Sequence, residues 1–209
     1  MLGILVFPRA SEALVRTHID ARGSRIVAVD GGAEACLAAG IVPHVVVGDM
    51  DSVRPETLRA CEARGARVER HPSAKRDTDA ALALAHLEGC DAALFVGAGG
   101  GRPDHALGNL HLLATASLRW PARAVDQDAE TWIVTSDRPL TLHLPQGTLL
   151  SAIPFDAIVE GITYEGLEYP LTDATMRAGD PYGLSNVAAA SAQRIRVASG
   201  RLVVMRPLA

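Results

Sequence analysis

The chain has 209 residues, 48% of them hydrophobic, and a formal net charge of −4. That length suits one domain or two small ones, and the apolar fraction supports a buried core and argues against disorder. An acidic chain without a basic stripe is a poor partner for nucleic acid, and no apolar run reaches the roughly 18 residues of a membrane-spanning helix, so no membrane partner is expected.

The elements alternate in the first part. Gly3–Phe7 reads as a strand rather than a signal peptide, because Met1–Pro8 has no basic start and no long apolar stretch. Glu12–Asp20 reads as a helix, Arg25–Val29 as a strand ended by Asp30-Gly31-Gly32, and Ala33–Ala39 as a short helix closed by Gly40. Val45–Val47 is a third strand, and Pro55–Arg64 a helix with proline in its first turn. Arg67–Arg70 (strand), Asp77–Glu88 (helix), Ala92–Val96 (strand) and Ala106–Ser117 (helix) continue the alternation. Strands alternating with helices predict a mostly parallel sheet covered on both faces. From Ala122 the helical period fades. Thr131–Val134, Leu140–Leu144, Thr148–Ile153, Ala157–Ile162, Gln193–Ala198 and Arg201–Arg206 read as short strands punctuated by Gly and Pro, with a turn at Tyr164-Glu165-Gly166. The expected organisation is an α/β domain over residues 1–121 and a small antiparallel β-sandwich over residues 122–209, divided near Trp120-Pro121. Cys36, Cys61 and Cys90 are odd in number and lack zinc-ligand spacing, which fits buried thiols in a reducing, cytoplasmic setting.

Four clusters in the first part carry chemistry, and they fall at strand ends or helix starts. In an open α/β sheet the crevice beyond the carboxyl ends of the strands is where ligands bind. Asp30-Gly31-Gly32 permits close backbone approach to a ligand, or a plain strand-to-helix turn. In Gly48-Asp49-Met50-Asp51-Ser52, Asp49 and Asp51 stand two apart on an extended segment and so aim the same way. Two carboxylates held together call for a cation, and Mg²⁺ takes one or two carboxylates plus phosphate oxygens; helix capping by Ser52 or Asp51 is the alternative. Lys75-Arg76-Asp77-Thr78-Asp79 precedes a helix, where Asp77 or Thr78 can cap and Lys75 with Asp79 can form a phosphate and metal site. Lys75 is the only lysine among twenty basic residues, in a motif that wants a compact ammonium. Gly99-Gly100-Gly101-Arg102-Pro103-Asp104-His105, with Asn109, offers successive N–H groups and a guanidinium for phosphates. It is not a GxxxxGK[ST] loop. Together the four point to a Mg-nucleotide site.

These segments, in this order and spacing, resemble the motifs of thiamine pyrophosphokinases. The second part adds Gly166-Leu167-Glu168-Tyr169-Pro170-Leu171 and Gly183-Leu184-Ser185-Asn186, similar to that family's GLxYPL and SN segments, so the resemblance runs from about residue 26 to 205. It implies an N-terminal nucleotide-binding catalytic domain, a C-terminal sandwich for thiamine binding and dimerisation, and a homodimer. Thiamine would be held between the first domain of one subunit and the second of the other. It implies catalytic Asp49, Asp51, Asp79 and Asp104, with Mg²⁺ on Asp49, Asp51 and Asp79. It implies ATP contacts from Asp30, Gly31, Gly32, Ser52, Lys75, Asp77, Thr78, Gly99, Gly100, Gly101 and Arg102. Acceptor contacts would come from His105, Asn109, Ser185 and Asn186. Three departures stand out: Arg76-Asp77 where the family usually has the acid directly after the lysine, Val187 where an acid often follows the SN pair, and Phe7-Pro8-Arg9 where many members carry glycine.

The implied reaction is attack of the thiamine hydroxyl on the β-phosphorus of Mg-ATP, giving thiamine diphosphate and AMP, with Asp79 or Asp104 as proton acceptor. Thiamine is cationic and aromatic, and Trp132 and Tyr182 are candidate platforms among only eight aromatic residues. A pyrophosphokinase for a hydroxymethylpterin and a non-catalytic nucleotide sensor are the alternatives.

Overall fold

The computed structural model describes residues 1–180 and 182–208. The chain divides into two compact units, Met1–Gln127 and a second beginning at Asp128.

The first unit is an α/β layer structure. Its strands are β1 (Leu2–Val6), β2 (Ser24–Val29), β3 (Val45–Gly48), β4 (Arg67–Arg70), β5 (Ala92–Val96) and β6 (Ala122–Val125). They form a wholly parallel sheet in the order β6-β5-β1-β2-β3-β4. The helices are α1 (Glu12–His18), α2 (Gly32–Ala38), α3 (Pro55–Ala63), α4 (Asp79–Leu84, continued by a 3₁₀ turn to Leu87) and α5 (Pro103–Ala116). The core gathers Ile4, Val6, Ile26, Ala28, Val46, Leu94 and Val96 from the sheet with Val15, Cys36, Leu58 and Cys61 from helices. The central strands read as near-continuous apolar runs because both of their faces are covered.

The helix starts explain where the sequence reading and the structure differ. The α5 helix begins at Pro103, three residues before the expected start, because proline suits the first helical position. Thr78, not Asp77, caps α4, its hydroxyl accepting from the Ala81 N–H at 3.2 Å, so the helix starts at Asp79. The four-residue strand β6 was not expected. It pairs with β5 from Ala93↔Ala122 to Val96↔Val125, which carries the first unit past Trp120-Pro121.

Two glycines mark how tightly the strand ends pack. A Cβ on Gly32 would lie 2.0 Å from the Val6 carbonyl oxygen, and one on Gly97 would lie 2.2 Å from the Ala10 nitrogen.

The second unit is all β. One sheet runs β12-β9-β14-β7 and the other β11-β10-β13-β8, every pairing antiparallel. The strands are β7 (Ala129–Val134), β8 (Leu140–Leu142), β9 (Leu149–Pro154), β10 (Ile158–Glu165), β11 (Leu171–Arg177), β12 (Asn186–Val187), β13 (Gln193–Arg196) and β14 (Leu202–Pro207). Leu150, Leu202 and Val204 of one sheet pack with Val159, Ile162, Met176 and Ile195 of the other, which makes it a sandwich. Trp132 is partly buried and packs against this core. The three cysteines are free and buried, and burial pushes the Cys36 thiol up to about 12, so it stays protonated and inert at neutral pH. No helix among the described residues is long and apolar enough to cross a membrane.

Replacing Gly32 by alanine forces a methyl onto the Val6 carbonyl. The expected loss is about 3 kcal/mol of unfolding free energy, measured by urea titration; an unchanged midpoint contradicts this packing.

Candidate active site

The carboxyl ends of β2 and β3 bring three aspartates together. Asp30 extends β2, its N–H bonding to the Val47 carbonyl at 2.9 Å, and turns the chain with a left-handed φ of 44°. One carboxylate oxygen from each of Asp30, Asp49 and Asp51 lies within 4.8 Å of the other two. Asp30 is only 6% exposed, and its Oδ1 has no hydrogen-bond partner. Its other oxygen, Oδ2, accepts from the Ser52 N–H at 3.3 Å and from the Ser52 hydroxyl at 2.5 Å. The Ser52 Oγ in turn accepts from the Gly31 N–H at 3.1 Å. This latch fixes the Asp49–Ser52 loop to the end of β2. Ser52 therefore acts as a tie between two strand ends rather than as a helix cap.

The electrostatics of the three acids differ. Burial raises the pKa of Asp30, and neighbouring Asp51 adds to the rise. The Ser73 hydroxyl and the Asp51 N–H, both donating to Asp49, hold its carboxyl below the ordinary range, with help from the Lys75 charge. Ser73 carries no sequence signal that marks it for this role. A cluster of one raised and one lowered carboxyl, with an orphaned buried oxygen, is a donor set suited to a hard divalent cation.

Asp79 stands outside that group. Its Oδ1 is 3.0 Å from Lys75 Nζ, which also donates to the Pro72 carbonyl at 3.0 Å. Lys75 and Asp79 are largely shielded, whereas Arg76 and Asp77 are exposed. The acid displaced by Arg76 in this motif thus reappears at Asp77 on the surface.

The glycine loop follows β5. Gly100 and Gly101 take φ of 72° and 67°, and the Gly99 N–H donates to Asp126 Oδ1 at 2.7 Å. Asp126, just beyond β6, anchors the loop; its only sequence signal is an acid at a strand end. Arg102 and Asp104 form a two-contact ion pair, Nε–Oδ1 3.2 Å and Nη2–Oδ2 2.6 Å. Arg102 holds the Asp104 carboxyl down to about 2. Asn109 donates to the Ala98 carbonyl at 2.7 Å and so ties α5 to the loop. His105 is exposed in the first turn of α5. Gly31 and Gly32 are buried, and the steric needs of the strand ends account for them.

In the second unit Ser185 is left-handed, φ 58°, and its N–H donates to Ser151 Oγ at 3.1 Å. Asn186 is buried. Its Oδ1 accepts from the Tyr169 and Val187 N–H groups, and its Nδ2 donates to the Tyr169 carbonyl at 2.8 Å. It clamps the Gly166–Leu171 segment, and most of its hydrogen-bonding capacity is used there. Tyr169, Tyr182 and Leu184 are exposed large side chains nearby in sequence.

Two family models match the chain: "Thiamin pyrophosphokinase, catalytic domain" over residues 18–121 and "Thiamin pyrophosphokinase, vitamin B1 binding domain" over residues 139–203. The chain belongs to the thiamine pyrophosphokinase family. The thiamine pyrophosphokinase of Bacillus subtilis (strain 168) is 27% identical over 191 residues, covering 86% of each chain. Rice (Oryza sativa subsp. japonica) thiamine pyrophosphokinase 2 is 25% identical over 159 residues, 70% of this chain and 58% of that one. The crystal structure of the Bacillus subtilis protein superposes over 100% of both chains with a TM-score of 0.87 at 26% identity. That of the Geobacillus thermodenitrificans thiamin pyrophosphokinase covers 100% of this chain and 98% of the other, with a TM-score of 0.81 at 27% identity. The α/β unit with a separate antiparallel unit is thus the family fold.

Because burial raises the Asp30 pKa, the folded chain binds more protons than the unfolded one between the ordinary carboxylate range and the raised value. Its stability contribution therefore falls as pH rises through that window. An Asp30→Asn side chain keeps the acceptor for Ser52 and removes the charge. The Tm of the metal-free protein at pH 7 is expected to rise by about 2–4 °C while its increase on adding Mg²⁺ shrinks; an unaltered Mg²⁺ shift rules out Asp30 as a ligand. For Asn186→Ala, loss of the clamp is expected to cost about 2 kcal/mol in chemical denaturation. A variant with full stability and a raised thiamine KM would instead mark Asn186 as a substrate contact.

Proposed function

We infer that the chain transfers the terminal diphosphate of ATP to the hydroxyl of thiamine, giving thiamine diphosphate and AMP. The observation that carries this reading is the convergence of Asp30, Asp49 and Asp51 at the carboxyl edge of a parallel sheet, in a chain matched over both domains of the family. Such an edge is where α/β sheets bind nucleotides.

The acid cluster fits a magnesium ion. Three carboxylates within reach of one another, one with an orphaned buried oxygen, repel unless a cation joins them. Asp49 and Asp51 would hold it, with Asp30 as the third ligand, and when bound it neutralises phosphate oxygens. Asp79 supports the site through Lys75 rather than as a ligand of this group.

The remaining chemistry belongs to the chain's own residues. The Gly100 and Gly101 N–H groups would face the phosphates, with Arg102 and Lys75 adding positive charge beside their carboxylate partners. The thiamine oxygen forms a bond to the β-phosphorus as the bond from that phosphorus to the oxygen bridging to the α-phosphate breaks. AMP leaves with that oxygen, and the hydroxyl proton passes to solvent. A loose transition state needs alignment and charge neutralisation more than a strong base. Asp104, held at about 2 by Arg102, is a weak proton acceptor and serves to orient the guanidinium. Among the aromatic candidates Tyr182 is exposed whereas Trp132 is partly buried against the core, which favours Tyr182 as the platform for the acceptor. A homodimer and a cytoplasmic location complete the reading; the free, buried thiols fit a reducing compartment.

The test is to incubate the purified protein with ATP, Mg²⁺ and thiamine and to separate the products by chromatography. Thiamine-dependent AMP and thiamine diphosphate, abolished by EDTA, are expected. Asp51→Asn should fold normally and lose about a hundred-fold or more in kcat/KM. AMP formed with a hydroxymethylpterin but not with thiamine would reassign the acceptor.

A further inference from the structure

The strand order of the first unit reverses beside β1. Strands β2 to β4 follow on one side, and β5 and β6 lie on the other. The crevice at such a reversal opens beyond the carboxyl ends of the two strands that flank it, here β1 and β5. The glycine loop fills the β5 side. The β1 side is a tight turn, Phe7 to Ala10.

That turn is well anchored. The Phe7 N–H donates to the Val96 carbonyl at 2.9 Å, and the Ala10 N–H closes back on the Phe7 carbonyl at 3.0 Å. Pro8 takes the second position, where its ring presets φ, and Arg9 the third. The turn also touches what lies on either side. A Cβ on Gly101 would lie 3.2 Å from both Cδ and Nε of Arg9, and one on Gly31 would lie 3.4 Å from the Pro8 Cβ. The Arg9 stem therefore runs along the glycine loop, while its turn abuts the Asp30-Gly31 corner.

Arg9 is exposed and has no ion pair among the described residues. Lys75 and Arg102 differ, since each faces a carboxylate. Arg102 shares its charge with Asp104, whereas Arg9 is a guanidinium beside the glycine loop with no carboxylate partner among the described residues. A guanidinium offers a planar fork to phosphate oxygens, and left-handed glycines beside it expose backbone N–H groups to the same anion.

We propose that Arg9 is a further polyphosphate-binding residue, which holds phosphate oxygens of the nucleotide against the glycine loop. This rests on reading the first unit as a Mg-ATP site. Arg9 adds to the charge that Arg102 shares with Asp104, from a turn rigid enough to need little ordering on binding.

The test compares wild type, Arg9→Gln and Arg9→Lys by calorimetric titration with Mg-ATP, inorganic tripolyphosphate and adenosine. Arg9→Gln keeps a stem over Gly101 and removes the charge, and its circular dichroism melt is expected to match wild type. It should weaken Mg-ATP and tripolyphosphate by the same factor, about ten-fold, and leave adenosine binding and the thiamine KM unchanged. Arg9→Lys should recover part of the loss. Equal affinities for Mg-ATP in wild type and Arg9→Gln overturn the proposal, as does a loss confined to adenosine. Wild type that binds neither Mg-ATP nor tripolyphosphate rejects the nucleotide site itself, and Arg9's role with it.

Discussion

Crowding at the carboxyl edge of the parallel sheet governs this molecule. The Val6 carbonyl and the backbone at Gly32 approach so closely that no side chain fits between them, and the same holds for Ala10 and Gly97. That compression brings the ends of β1, β2, β3 and β5 within reach of one another, so that short loops, rather than long flexible ones, carry the polar groups. Each loop is then tied to its neighbour by a specific bond: Ser52 to Asp30, Gly99 to Asp126, Asn109 to Ala98. The polar site is a by-product of close packing in the apolar sheet beneath it.

The charges at this edge are arranged in two styles. Lys75 with Asp79, and Arg102 with Asp104, are paired within the chain. Asp30, Asp49 and Asp51 are not, and their mutual repulsion is held in place by the backbone around them. Folding positions like charges that would separate in solution, and a divalent ion binds with that repulsion already set up. An exposed ion pair such as Arg102–Asp104 contributes little to stability, so its value is in orienting the guanidinium.

Much of this was legible in the sequence, for identifiable reasons. Continuous apolar runs such as Ile26–Val29 and Val45–Val47 announce buried parallel strands, and glycine–aspartate clusters after them announce the binding edge. Other features were not legible. The β6 strand is four residues with an arginine inside and has no period of its own. The β11 strand, Leu171–Arg177, faces solvent along most of its length and mixes polar with apolar side chains. Asp30's membership of the carboxylate cluster depends on β2 lying beside β3, a tertiary fact. Asn186 reads as a contact residue in its motif, yet its side chain is engaged by the Tyr169 backbone, which only the fold of that loop reveals.

The place of β1 in the sheet also bears on how the chain assembles. Strands β1 to β4 are neighbours in the order of synthesis, so they can pair as they emerge from the ribosome. The other edge of β1 stays open until β5 arrives, because Leu2 pairs with Ala92 and Val6 with Val96. Through that interval a run of wholly apolar side chains, Ile4 to Phe7, presents an unsatisfied hydrogen-bonding edge, the kind of surface on which nascent chains associate or recruit chaperones. Docking of β5 removes that hazard and, in the same event, sets the glycine loop beside the aspartates, so maturation and competence coincide.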